Sequence, residues 1–197
     1  MNGAQNLHTF ALSAGVGAVG VNTSKVTDNA TTMANLKGAN FSTSGANVNV
    51  TSNNTVTQNA KVTGVTAGFV ASGTSKLESV RSMNNEISLV NSGTNKEFGT
   101  VNTVANTNSN ATLSAISGTG GVLDISPEAA RLDDTSNTTT KISITGDYNA
   151  NTINVAATTT ENGTRKVDAT SASVAGYSGA TSKHSGTTLT AIKKMSS

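Results

Sequence analysis

Thr66-Ala67-Gly68-Phe69-Val70-Ala71-Ser72-Gly73-Thr74-Ser75-Lys76 returns later in the chain as Val174-Ala175-Gly176-Tyr177-Ser178-Gly179-Ala180-Thr181-Ser182-Lys183. Upstream of each copy stands a matching step. Val48-Asn49-Val50 answers Ile153-Asn154-Val155, and Lys61-Val62 answers Lys166-Val167. The offset wanders between 105 and 108, as it does when loops gain or lose a few residues. Self-similarity of this kind in a Gly-rich polar chain points to stacked structural units rather than one globular pocket. A second echo runs at 80 to 81: Val21-Asn22-Thr23 with Val101-Asn102-Thr103, and Asn29-Ala30-Thr31 with Asn110-Ala111-Thr112. Both spacings are multiples of a unit of about twenty residues, short for a solenoid repeat.

Working outward, the composition agrees. Of 197 residues 35% are hydrophobic, 12% charged and 3% aromatic, with a net charge of +2, one proline and no cysteine. Disordered chains carry more charge or proline. Here the polar bulk is Asn, Thr, Ser and Gly, and Thr and Val favour strands while Asn and Gly favour turns. Strand-like steps such as Val19-Gly20-Val21, Val48-Asn49-Val50, Ile87-Ser88-Leu89-Val90, Leu113-Ser114-Ala115-Ile116 and Ile142-Ser143-Ile144 alternate with period two, then stop at polar residues. The predicted fold is all-β, a parallel β-helix of about ten short rungs filling one domain, 1–197, with a rod length of roughly 50 Å at about 4.8 Å per rung. Residues 76–97, richer in charge, and 124–135 are expected to be loop or insertion decorations. Ser126-Pro127-Glu128 carries a helix-start signal there.

The same inventory bounds function. A two-charge excess is too small and dispersed to suggest nucleic acid, and no run approaches the roughly 18 apolar residues of a membrane helix. Lacking a basic leader and an apolar h-region, the chain is expected to be a piece of a longer exported protein. Gly15-Val16-Gly17-Ala18-Val19-Gly20 matches the dinucleotide-binding pattern by letter. That chemistry needs a helix start and an acidic residue about twenty positions on. Neither is present, and the glycines are expected to serve tight bends. Gly118-Thr119-Gly120-Gly121-Val122-Leu123-Asp124 has one carboxylate, too few for calcium. His8 and His184 lie far apart in sequence, in no metal spacing. Glu78 with Glu86, and Asp133 with Asp134, are the carboxylate pairs to consider, each read as a solvated pair. Asn-X-Ser/Thr triplets at Asn22, Asn29, Asn53, Asn110, Asn137 and Asn162 are expected by chance at this composition. No catalytic, cofactor-binding or metal-ligating residue is predicted, and no cofactor.

Ala14-Gly15-Val16-Gly17-Ala18-Val19-Gly20-Val21-Asn22, then Gly38-Ala39-Asn40 and Val48-Asn49-Val50, resembles the repeats of large bacterial filamentous exoproteins. Within that group it is most similar to filamentous-haemagglutinin-like adhesins and fusobacterial leukotoxins. The likeness covers about two thirds of the chain and is weakest over 77–135. It implies a right-handed parallel β-helix exported through an outer-membrane secretion partner. It also implies a secreted or cell-surface, non-catalytic shaft that adheres to host-cell or bacterial surface proteins or glycans. In the leukotoxin branch it implies action on leukocytes. A carbohydrate-cleaving β-helix, such as a polysaccharide lyase, is the competing class.

Overall fold

The structure, a computed structural model, describes residues 2–39, 44–92, 97–124, 130–173, 182–185 and 188–196. It is all-β. The strands are β1 (Asn2–Ala39), β2 (Ala46–Asn91), β3 (Glu97–Asp124), β4 (Ala130–Thr145), β5 (Asn149–Ser173), β6 (Ser182–Ser185) and β7 (Thr188–Ser196). Every pairing between them is parallel: β1 with β2, β2 with β3 and β4, β3 with β5, and β4 with β6 and β7.

The long strands fold back on themselves. In β2 the buried residues fall on even numbers from Val48 through Val56, Gln58 and Val62 to Thr66. They then fall on odd numbers from Ala71 through Leu77, Arg81 and Ile87 to Asn91. Since side chains alternate along a strand, a change of parity between Thr66 and Ala71 keeps one face inward only if the backbone turns there. It turns at Gly68-Phe69, so β2 is an arch of two arms facing each other. Hydrogen bonds cross the gap between the arms: Ser79 Oγ donates to Gln58 Oε1 at 2.9 Å, and Gln58 Nε2 donates to the Val80 carbonyl at 3.3 Å.

Layers stack in one direction. Lys61-Val62 lies beside Ser114-Ala115, which lies beside Lys166-Val167, and Val48-Asn49 lies beside Val101-Asn102, then Ile153-Asn154. The first arms of β1 and β2, with β3 and β5, make one wall. The second arms of β1 and β2, with β4, β6 and β7, make the other. Each arm of about twenty residues spans roughly 65 Å, and a stack of four such layers rises roughly 20 Å.

The stacking interval corrects the expected one. Asn2 pairs Thr55, Val48 pairs Val101, Ser75 pairs Ala130 and Val101 pairs Ile153. The chain therefore builds about four broad layers, not about ten short rungs. The echo at 105 spans two of these intervals. The echo at 80 joins no stacked pair: Val21-Asn22-Thr23 lies beside Thr74-Ser75-Lys76. The repeat from Val174 to Thr181 lies outside the described residues. Lys76–Asn91 is not a loop or insertion but the second arm of β2, and Ala130–Thr135 is the start of β4. The expected helical turn at Ser126–Leu132 is β-strand from Ala130 onward, and its start lies outside the described residues.

The interior is banded. Near the arch bend, Val26, Val62, Leu77, Leu113 and Leu132 pack together. At the far end, Val48, Ile87, Leu89, Phe98, Val101 and Ile142 do so. Between them lies a small group of Ala30, Val56 and Met83, flanked by buried Arg81, Asp134, Gln58, Ser109, Asn85 and Thr107. Among the described residues almost as many polar as apolar side chains are buried. A polar group taken from water without a partner costs on the order of 1–3 kcal/mol, and here neighbouring layers and the facing wall supply most partners.

Candidate functional surfaces

The densest polar chemistry lies inside. Arg81 is fully buried. Its Nη1 and Nη2 donate to the two carboxylate oxygens of Asp134 at 2.8 and 3.2 Å, and Nη2 also donates to Glu161 Oε1 at 2.6 Å. Nε donates to Ser109 Oγ at 2.9 Å. Arg165 donates to Asp134 Oδ2 at 2.8 Å and also pairs Glu161. Ser79 Oγ donates to Asp134 Oδ1 at 2.9 Å. Two guanidinium groups thus meet two carboxylates, and the fork geometry of arginine suits such a bidentate array. Burial opposes ionisation of Asp134. Hydrogen bonds from Arg81 and Arg165, with the Arg81 charge and the Ser79 hydroxyl, outweigh it and hold its carboxyl below the usual carboxylate range. Oε2 of Glu161, and Oδ2 of Asp28 beside Arg81 in register, are buried without a hydrogen-bond donor.

A second cluster lies on the outer face of the second wall. Lys25, Glu78 and Asp133 occupy one column across three layers, with Lys76 and Arg131 in a neighbouring column. Lys25 Nζ reaches Glu78 Oε1 at 2.7 Å, Lys76 Nζ reaches Asp133 Oδ2 at 3.3 Å, and Arg131 Nε reaches Asp133 Oδ2 at 2.9 Å. Farther along, Lys141 Nζ lies 3.0 Å from Glu86 Oε1. The Lys25 hydrogen bond, helped by the Lys25 and Lys76 charges, lowers the Glu78 pKa. Burial opposes ionisation of Asp133, but Arg131 and Lys76 bring it down as well. Carboxylates held ionised in this way are weak proton donors at neutral pH.

The outer face of the first wall is an amide and hydroxyl surface. Asn59 Nδ2 donates to Asn6 Oδ1 at 3.0 Å, and Asn106 Nδ2 donates to Asn53 Oδ1 at 3.0 Å. Asn49, Asn102 and Asn154 form another column, and Asn110 lies beside Asn162. A cavity of about 430 Å³ lined by Asn6, Leu7, His8, Asn59, Ala60, Lys61, Thr112 and Ser114 opens at the first layers.

The residues singled out by sequence fall as follows. Gly15-Val16-Gly17 is the bend of β1, with no helix behind it, and Val16 stands exposed at its tip. Asp133 and Asp134 point to opposite faces, one outward in the charge column and one into the core network, so they are not a pair. Glu78 and Glu86 face outward, each against its own lysine. His8 is exposed, and the side chains of His184 and Asp124 lie outside the described residues. Among the described residues no three His, Asp or Glu side chains gather to hold a metal ion. Sequence reasoning missed both charge clusters. The signal that finds them is opposite charge at intervals of 53 and 55, Lys25 to Glu78 and Glu86 to Lys141, which has meaning only once the layer length is known. No protein-family model, curated protein or solved structure matches the chain.

Proposed function

We propose that this chain is a non-catalytic shaft segment of a secreted or surface-displayed bacterial filamentous adhesin. In this reading the stacked arches are a flattened, right-handed β-solenoid, the hand that parallel crossover connections overwhelmingly take. The observation that carries the proposal is the outer face of the first wall. There Asn49-Asn102-Asn154, Asn53-Asn106 and Asn6-Asn59 repeat amides in rows across a flat surface, with threonine hydroxyls between them. Rows about 4.8 Å apart offer donors and acceptors to a hydroxyl-rich partner without enclosing it. That suits a surface glycan, or a glycoprotein bound by wide, shallow contact. The outer-membrane secretion partner implied by the exoprotein resemblance belongs to the same proposal.

Binding to a panel of bacterial and mammalian surface glycans tests it. Charged replacements on this wall, Asn59→Asp with Asn106→Asp, are expected to abolish binding, while Lys76→Glu on the opposite wall leaves it. Equal loss from both variants, or no binding at all, overturns the glycan reading.

A second reading is favoured by the column of Lys25, Glu78 and Asp133 beside Lys76 and Arg131. Carboxylates and cations on one face are what a polysaccharide lyase requires. Release of unsaturated products from a uronic-acid polymer, lost in Arg131→Ala, would make that reading the better one. Leukocyte lysis by the isolated chain would instead move the proposal to the toxin branch.

A further inference from the structure

A groove crosses the outer face of the first wall, and we propose that it binds the acidic sugar of a sparsely charged, carboxylate-bearing polysaccharide. The proposal rests on the reading of that wall as a glycan-binding face and names the class of glycan.

Strand geometry makes the groove. Asn6, Asn59 and Thr112 stand in one column, and His8, Lys61 and Ser114 in the next. Side chains two positions apart leave the same face of a strand about 6.7 Å from each other, and the cavity of about 430 Å³ lies between these two columns. Leu7 and Ala60, whose side chains turn to the core, make its floor. It runs up the stack rather than along a strand, and the register carries both flanks one layer further, to Thr164 and Lys166. The strands holding Asn59, Lys61, Thr112 and Ser114 have a layer on each side, so the groove belongs to the wall and not to an end of the stack.

The two flanks differ in chemistry. On one, Asn59 Nδ2 donates to Asn6 Oδ1 at 3.0 Å. That bond holds both amides in place and leaves Asn6 Nδ2 as a donor and Asn59 Oδ1 as an acceptor for sugar hydroxyls. On the other flank Lys61 is exposed and makes no ion pair among the described residues. The outward carboxylates of the opposite wall, Glu78, Glu86 and Asp133, each face a cation of their own. Near the groove the one outward carboxylate among the described residues is Asp168, and it lies 3.5 Å from Lys166 Nζ. Lys61 is therefore a cation without an internal counterion on an acid-poor face, which is charge complementarity for an anionic group.

Spacing selects the kind of acid. Lys61 and Lys166 lie two layers apart, about 9.6 Å. An extended polysaccharide with one acidic sugar in every two presents its carboxylates at a comparable interval. Two lysines offset by one aspartate do not match a densely sulfated chain, which would be held by long-range attraction to any basic patch rather than by this groove.

Titration of the full chain with three polymers tests the proposal. They are an unsulfated polymer of alternating uronic acid and N-acetylhexosamine, the same polymer with its carboxyl groups reduced to alcohols, and a densely sulfated polysaccharide. The unaltered chain is expected to bind the carboxylated polymer about tenfold more tightly than the reduced one, the effect of one charge-assisted hydrogen bond. Lys61→Gln is expected to erase that preference and Lys61→Arg to keep it. Lys37→Gln, which removes an exposed lysine from the opposite wall, is expected to leave it unchanged. Circular dichroism reports the fold of each variant. Equal binding of the carboxylated and reduced polymers by the unaltered chain overturns the acidic-sugar proposal and leaves the glycan reading standing. A preference that Lys37→Gln weakens as much as Lys61→Gln does the same, as does tightest binding to the sulfated polymer. No binding to any of the three, with binding to neutral members of a glycan panel, also overturns the acidic-sugar proposal alone, whereas no glycan binding of any kind removes both.

Discussion

Gly68 and Asp134 hold the arch by different means. Gly68 lets one layer approach the next closely enough to stack, so Gly68→Ala is expected to destabilise the chain by about 1–3 kcal/mol through forced backbone displacement. Gly118→Ala, with no atom within 4 Å of its Cβ position, is expected to be neutral. Urea midpoints of the two variants check both. Asp134 satisfies two arginines in a dry interior, so Asp134→Asn leaves buried charge unpaired and is expected to cost about 3–5 kcal/mol at pH 7. The sign with pH follows from its lowered pKa. Its contribution is fully present above the unfolded value, near about 3.9, and is lost as pH falls through the lower folded value. The unaltered protein should therefore hold its urea midpoint from pH 7 to 5 and weaken below about pH 4, whereas Asp134→Asn weakens less steeply over the same range. A steeper fall in the variant would contradict the assignment. None of this was legible residue by residue, because Arg81 and Asp134 are 53 positions apart and carry no local signature.

At the scale of the element, strand and parallel pairing were legible and strand length was not. Period-two alternation marks the Val48, Ile87, Leu113 and Ile142 regions correctly. It fails between them because the inward positions hold Ser79, Arg81, Asn85, Thr107 and Thr138. A buried serine bonded across the gap reads in sequence as a turn residue, so a continuous arm breaks into fragments and the layer length is underestimated. The charged stretch 76–97 misled for a related reason. Lys76, Glu78 and Glu86 alternate with Leu77 and Ile87 and face outward, while Arg81 faces the core. Energetically the two kinds of position differ sharply. Leu113→Ala, in the apolar band near the bend, is expected to cost about 2–5 kcal/mol. Glu86→Gln, which breaks only the half-exposed contact with Lys141, is expected to cost under about 1 kcal/mol. Chemical denaturation of both variants separates them. An Leu113→Ala effect no larger than that of Glu86→Gln would mean that the band is not packed.

At the scale of the whole molecule, the backbone pairings between layers link residues 51 to 55 positions apart. Folding rates fall as contacts become more distant in sequence. No backbone pairing of β1 can form until β2 has been delivered, and β3 then adds to an edge that already exists. A nascent chain leaving a narrow exit would therefore remain extended and threadable for its first fifty or so residues, then zip up by templating from whichever end emerged first. Directional growth of that kind needs no energy source beyond the ordering of each new strand on the one before it.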